Sequence, residues 1–88
     1  MSAPPVLMYT TSWCPYCARA RSLLDAKGVG YSEIDVDLEL GAYEEMRRKS
    51  GRTSVPKIFI GTAHVGGCDE LLELEAAGRL DSMLTGEK

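Results

Sequence analysis

The chain has 88 residues, 44% of them hydrophobic and 26% charged, with a formal net charge of −3. That composition suits one small folded domain spanning 1–88 and excludes a disordered or fibrous chain. The acidic balance counts against nucleic acid or an anionic membrane as partner, since neither attracts a net negative surface.

Taken in chain order, Val6 to Thr10 is an apolar run behind two prolines and reads as a buried strand. Residues 15–27 predict a helix. Ala20, Leu23, Leu24 and the stem of Lys27 share one stripe of it, and Gly28 supplies the stop. YSEIDV (31–36) alternates in the strand manner and predicts a short second strand. Leu40, Tyr43 and Met46 recur at helical spacing, so a second helix is expected over 40–50, closed by Gly51. KIFI (57–60) and HVGG (64–67), joined by Gly61, Thr62 and Ala63, predict an antiparallel hairpin. Residues 69–77 predict a third helix with acidic residues in its first turn and Gly78 as its stop, and 80–84 add a last helical turn.

The expected order is therefore β-α-β-α-β-β-α, an α/β fold. Its first two strands run parallel through a right-handed crossover, and the hairpin extends the same sheet. The four-stranded mixed sheet is expected to carry helices on both faces. Met1 to Pro5 contains no basic residue, and the run VLMY is too short for a signal core or a membrane span. A reducing, cytoplasmic setting is expected. There a Cys-x-x-Cys pair is more often catalytic or metal-binding than a structural disulfide.

The segment TSWCPYC (11–17) holds that pair. Cys14 follows a strand and opens a helix, where unsatisfied backbone N–H groups and the positive helix end favour the thiolate. Pro15 takes the first helical position, where its missing N–H costs nothing. Cys17 lies one turn on, within reach of a disulfide. The arrangement is that of a nucleophile with a resolving partner: Cys14 attacks a disulfide, and Cys17 or an outside thiol releases the product. A zinc site would need Cys14, Cys17, Cys68 and His64, whose spacing is not that of a zinc finger, and no metal is expected. His64 reads as an exposed strand residue and Cys68 as a small, inert buried one. Arg47, Arg48, Lys49 and Arg52 read as a solvated helix end where a small anion could be held.

The segments YTTSWCPYC, SVPKIFI and HVGGCDEL, in that order, resemble the dithiol CPYC-type glutaredoxins of the thioredoxin-fold superfamily. The resemblance covers nearly the whole chain. It implies a glutathione-dependent thiol–disulfide oxidoreductase acting on protein disulfides and protein–glutathione mixed disulfides. Cys14 would be the nucleophile, Cys17 the resolving thiol, and the two together the redox-active disulfide. Glutathione would be the reductant, and the protein would act as a monomer, with ribonucleotide reductase among the candidate protein partners.

The resemblance also implies a glutathione seat. Val55-Pro56 would match a cis-proline loop whose Val55 backbone pairs with the cysteinyl part of glutathione. Gly67, Cys68 and Asp69 would hold the γ-glutamyl end, Tyr16 would flank the tripeptide, and Thr11 and Ser54 would complete the seat. Two positions depart from the family pattern: Thr11 stands where many members carry a lysine, and Tyr43 where they carry Arg or Gln. Two alternatives share the fold: a redoxin reduced by a flavoprotein reductase, and a carrier in which Cys14 and glutathione ligate an iron–sulfur cluster.

Overall fold

The alternation of side chains along the first strand sets up the architecture. In β1 (Val6–Thr10), Val6 and Met8 face one way while Leu7 and Tyr9 face the other, and each set joins a separate apolar cluster. The strand is central in the sheet and carries apolar residues on both faces, so both faces need helical cover. The computed structural model describes residues 4–12, 14–51 and 55–85.

β1 leads into α1 (Pro15–Ala26), which returns the chain to β2 (Ser32–Asp35). β2 runs parallel to β1, with Leu7 opposite Ser32 and Thr10 opposite Asp35. α2 (Ala42–Ser50) follows, then the hairpin β3 (Lys57–Ile60) and β4 (Ala63–Gly66). β3 pairs antiparallel with β1 and β4 antiparallel with β3, giving the sheet order β2-β1-β3-β4. α3 (Cys68–Ala76) and α4 (Leu80–Thr85) end the described chain.

One face buries Met8 and Ile58 beneath Ala20 and Leu24 of α1, Leu71 of α3, and Leu80 and Leu84 of α4. The other buries Tyr9 and Val36 beneath Ala42 and Met46 of α2. The expected α/β sheet with helices on both faces is what the chain forms. Lys27 caps the end of α1 and pairs with Glu75 at 2.7 Å and Asp81 at 2.9 Å, tying three helices at one corner. Among the described residues no helix is long and apolar enough to cross a membrane.

Several boundaries differ from the sequence reading. Leu40 was expected on the buried stripe of the second helix, but it is fully exposed, and Tyr43 is exposed as well. The helix cannot reach back to Leu40 because Gly41 caps it in the left-handed conformation (φ 80°), so Ala42 and Met46 form the buried stripe. The hairpin loop is the two residues Gly61 and Thr62, which moves β4 one residue earlier than expected. α3 begins at Cys68 rather than Asp69 because Gly67 is its N-cap.

Leu24 is completely buried, whereas Leu40 makes no core contact. Replacing Leu24 by alanine is expected to cost about 2–5 kcal/mol. Leu40→Ala should stay within about 0.5 kcal/mol. Denaturant unfolding of the reduced protein measures both, and equal losses at the two positions would contradict this packing.

Candidate functional site

At the end of β1 the chain leaves the sheet and α1 begins, with Cys14 as its N-cap in extended conformation (φ −141°, ψ 104°) and Pro15 at the first helical position. The Cys14 sulfur takes the place usually filled by a Ser or Asp oxygen. It accepts a hydrogen bond from the Cys17 backbone N–H at 3.2 Å. From the opposite side the Cys14 thiol donates to the carbonyl of Val55 at 3.8 Å. Val55 is joined to Pro56 by a cis peptide bond.

The two thiols of the pair differ in environment. Cys14 is half-buried, whereas Cys17 has no exposed surface. Burial, and then the adjoining Cys14, push the Cys17 thiol up to about 12. Cys17 is therefore neutral and screened at physiological pH, while Cys14 is the sulfur that an incoming disulfide can reach. Cys68, buried at the start of α3, is also raised, first by burial and then by the charge of Asp69.

A cavity of about 460 Å³ lies between the cis-proline loop and the start of α3; Val55, whose carbonyl faces the Cys14 sulfur, lines it, while Cys14 and Cys17 do not. Tyr16, Val55, Pro56, Gly67, Cys68 and Asp69 line it, so these sequence-predicted residues are brought together. Tyr16, on α1, is exposed and lines the cavity. Thr11 is not part of the lining, and Ser54, Trp13 and Arg52 lie outside the described residues. Cys68 and Asp69 occupy the first two positions of α3, where backbone N–H groups lack intrahelical acceptors.

Lys57, His64, Val65, Gly66 and Glu70 also line the cavity, and sequence reasoning did not assign them to it. Glu70 had a signal in its position at N3 of α3, where its carboxylate accepts from the Gly67 N–H at 2.7 Å. The same carboxylate explains Gly66. At φ +112° the backbone favours glycine, and a Cβ on Gly66 would sit 2.7 Å from the Glu70 Oε1, so a larger residue would displace that carboxylate from the Gly67 N–H. Lys57 is buried, and His64 is exposed and stacks on Phe59 at 5.0 Å between ring centres.

The basic cluster on α2 does not reach the cavity. Arg47 pairs with Glu44 at 2.7 Å and Lys49 with Glu45 at 3.3 Å, the ordinary pattern of a solvated helix face. Among the described residues no group of three or more His, Cys, Asp or Glu side chains is gathered as metal ligands.

A strand delivers a helix-capping cysteine against the carbonyl of Val55, and comparison with known proteins gives the chain a family. The Glutaredoxin family model matches residues 6–65. The chain belongs to the glutaredoxin family. It is 55% identical over 82 residues to a glutaredoxin of Pseudomonas aeruginosa, covering 93% of this chain and 98% of that protein. It is 51% identical over 79 residues to glutaredoxin 3 of Escherichia coli, covering 90% and 95%. The structure of a buckwheat glutaredoxin–glutathione complex superposes with a TM-score of 0.87 at 34% identity, covering 94% of this chain and 78% of that one. The fold is thus the thioredoxin-like one of the glutaredoxins.

The raised Cys17 has a consequence for stability. The folded state keeps this proton while an unfolded thiol loses it near 9, so the stability it contributes is complete below pH 9 and is lost as pH rises toward 12. Thermal unfolding of the reduced protein is expected to show this alkaline loss, and Cys17→Ala should blunt it. An identical alkaline slope in the variant would contradict the assignment.

Proposed function

We propose that this glutaredoxin is a glutathione-dependent thiol–disulfide oxidoreductase. It reduces protein–glutathione mixed disulfides and protein disulfides, working as a single-domain monomer in a reducing cytoplasm. The observation that carries the reading is the placement of the Cys14 sulfur. It caps α1 and faces, at 3.8 Å, the carbonyl of Val55, a residue that lines the cavity at the start of α3. The buckwheat relative, solved with glutathione, supports that tripeptide as the ligand of the cavity.

In this reading the Cys14 thiolate attacks the glutathione sulfur of a mixed disulfide. The protein sulfur leaves with the electron pair and takes a proton, and Cys14 keeps the glutathionyl group. A second glutathione attacks that sulfur, forms glutathione disulfide and frees Cys14. With a protein disulfide, Cys14 forms the first mixed disulfide and Cys17 attacks the Cys14 sulfur. The reduced protein departs, and the Cys14–Cys17 disulfide is reduced in turn by two glutathiones.

Cys14 is suited to the first attack because its sulfur is reachable and a developing negative charge meets the Cys17 N–H. The extended backbone at Val55 pairs with the cysteinyl part of glutathione in the manner of an added strand. The free N–H groups of Cys68 and Asp69 take the γ-glutamyl carboxylate, and the exposed Asp69 carboxylate takes the ammonium. Gly67 permits close backbone approach, Tyr16 covers the tripeptide, and Thr11 with Ser54 offers hydroxyls rather than a charge at its glycine end.

Steady-state kinetics on a glutathione mixed disulfide, with glutathione as reductant, test this directly. Wild type and Cys17→Ser are expected to turn over, and Cys14→Ser to be inactive. On a protein disulfide, Cys17→Ser should lose about tenfold or more, because the resolving thiol is then no longer intramolecular. Turnover supported by a flavoprotein reductase and not by glutathione would overturn the reading.

A further inference from the structure

One charged network near the thiol pair has no part in the scheme above. Arg21 stands one helical turn after Cys17 on α1, so their side chains leave the same face of the helix. Its guanidinium crosses to β2 and grips Glu33 with both arms, Nε at 2.9 Å from each carboxylate oxygen and Nη2 at 2.7 Å from one. The same carboxylate accepts from the hydroxyl of Thr10 at 2.9 Å. Thr10 is almost wholly buried at the end of β1, immediately before the loop that leads to Cys14. Arg21 is therefore tethered while still about a third exposed, and its anchor is the carboxylate that also meets the last residue of β1.

We propose that Arg21, braced by Glu33 and Thr10, is a positioning residue for the resolving step, holding a fixed positive charge where the Cys17 sulfur becomes anionic. The inference rests on the dithiol mechanism of the preceding subsection and adds to it a residue outside the cavity. In the resolving step a bond forms between the Cys17 and Cys14 sulfurs while the bond from Cys14 to the substrate sulfur breaks. The substrate sulfur leaves with the electron pair and acquires the proton that Cys17 gives up, so no outside oxidant or reductant is needed.

Cys17 is buried and neutral, so giving up that proton is the difficult part of the step. Two groups oppose the cost of burial: the Thr11 backbone and the charge of Arg21. The attraction is mutual, since a Cys17 sulfur that has lost its proton in turn favours the charged form of Arg21. The other groups facing Arg21 are Glu33, whose carboxyl it holds below the usual range, and Tyr31, which burial and Asp25 keep protonated. Cys14 faces Cys17 from the start of the same helix and disfavours a second negative charge. Once Cys14 is tied up in a mixed disulfide that opposition disappears, and Arg21 acts on Cys17 alone.

The test is a single-turnover measurement. Wild-type protein carrying glutathione on Cys14 is transferred to glutathione-free buffer, and formation of the Cys14–Cys17 disulfide is followed by acid quench and intact mass across pH. Arg21→Gln is expected to slow the step by roughly threefold to tenfold at neutral pH and to move its pH profile to higher pH. Arg21→Lys should restore most of the rate. Glu33→Gln keeps an acceptor for the guanidinium and removes the opposing charge, so it should move the profile to lower pH. An unchanged rate and profile in Arg21→Gln would overturn the proposal, and so would equal slowing in Arg21→Gln and Glu33→Gln, which is what a purely structural ion pair predicts. If the wild type itself released no glutathione, the dithiol mechanism would fail instead.

Discussion

The hydrogen bond from the Cys17 backbone N–H to the Cys14 sulfur, 3.2 Å long, fixes that sulfur at the start of α1, where the proposed chemistry takes place. It exists because a strand buried on both faces ends one short loop before a helix, and because the residue at the cap carries sulfur instead of oxygen. Every other part of the site is placed relative to that sulfur. The Val55 carbonyl approaches from the hairpin side, and the start of α3 closes the cavity from beyond it. These segments come from three separate stretches of the chain, and the order β2-β1-β3-β4 brings them to one end of the sheet.

The same helix gives its two cysteines opposite characters. The cap position leaves Cys14 half-buried and reachable, and one turn later Cys17 is fully buried and is pushed up to about 12. Attack and resolution are thereby ordered in time on the proposed mechanism. The reachable sulfur reacts first, and the buried one acts when the first is already bonded. Nothing needs to move far between the two steps, because the separation of roles comes from burial rather than from distance.

Much of this was legible in the sequence where the signal is local. VLMYT carries its own strand signature, Pro15 marks the first turn of α1, and Asp69 with Glu70 marks the first turn of α3. The cis bond at Pro56 came from resemblance alone, since nothing local distinguishes it from a trans one. Leu40 misled because helical spacing cannot show that Gly41 turns left-handed and cuts the stripe short. Lys57, His64 and Gly66 could not be assigned to the cavity in advance, because their place in it depends on the hairpin register and its irregularity between Ile58 and Phe59. The Arg21–Glu33 pair was hidden for a similar reason: twelve positions apart in sequence, the two meet only once β2 lies parallel to β1.

The central claim is that Cys14 takes up glutathione while the tripeptide lies along Val55 and against the first turn of α3. The most direct measurement is to treat the Cys17→Ser protein with glutathione disulfide, locate the adduct by peptide mass mapping, and compare backbone amide NMR spectra before and after. One glutathionyl group on Cys14 is expected, with the largest shifts at Val55, Gly67, Cys68 and Asp69. An adduct on Cys68, or one on Cys14 that leaves those amides unmoved, would contradict it.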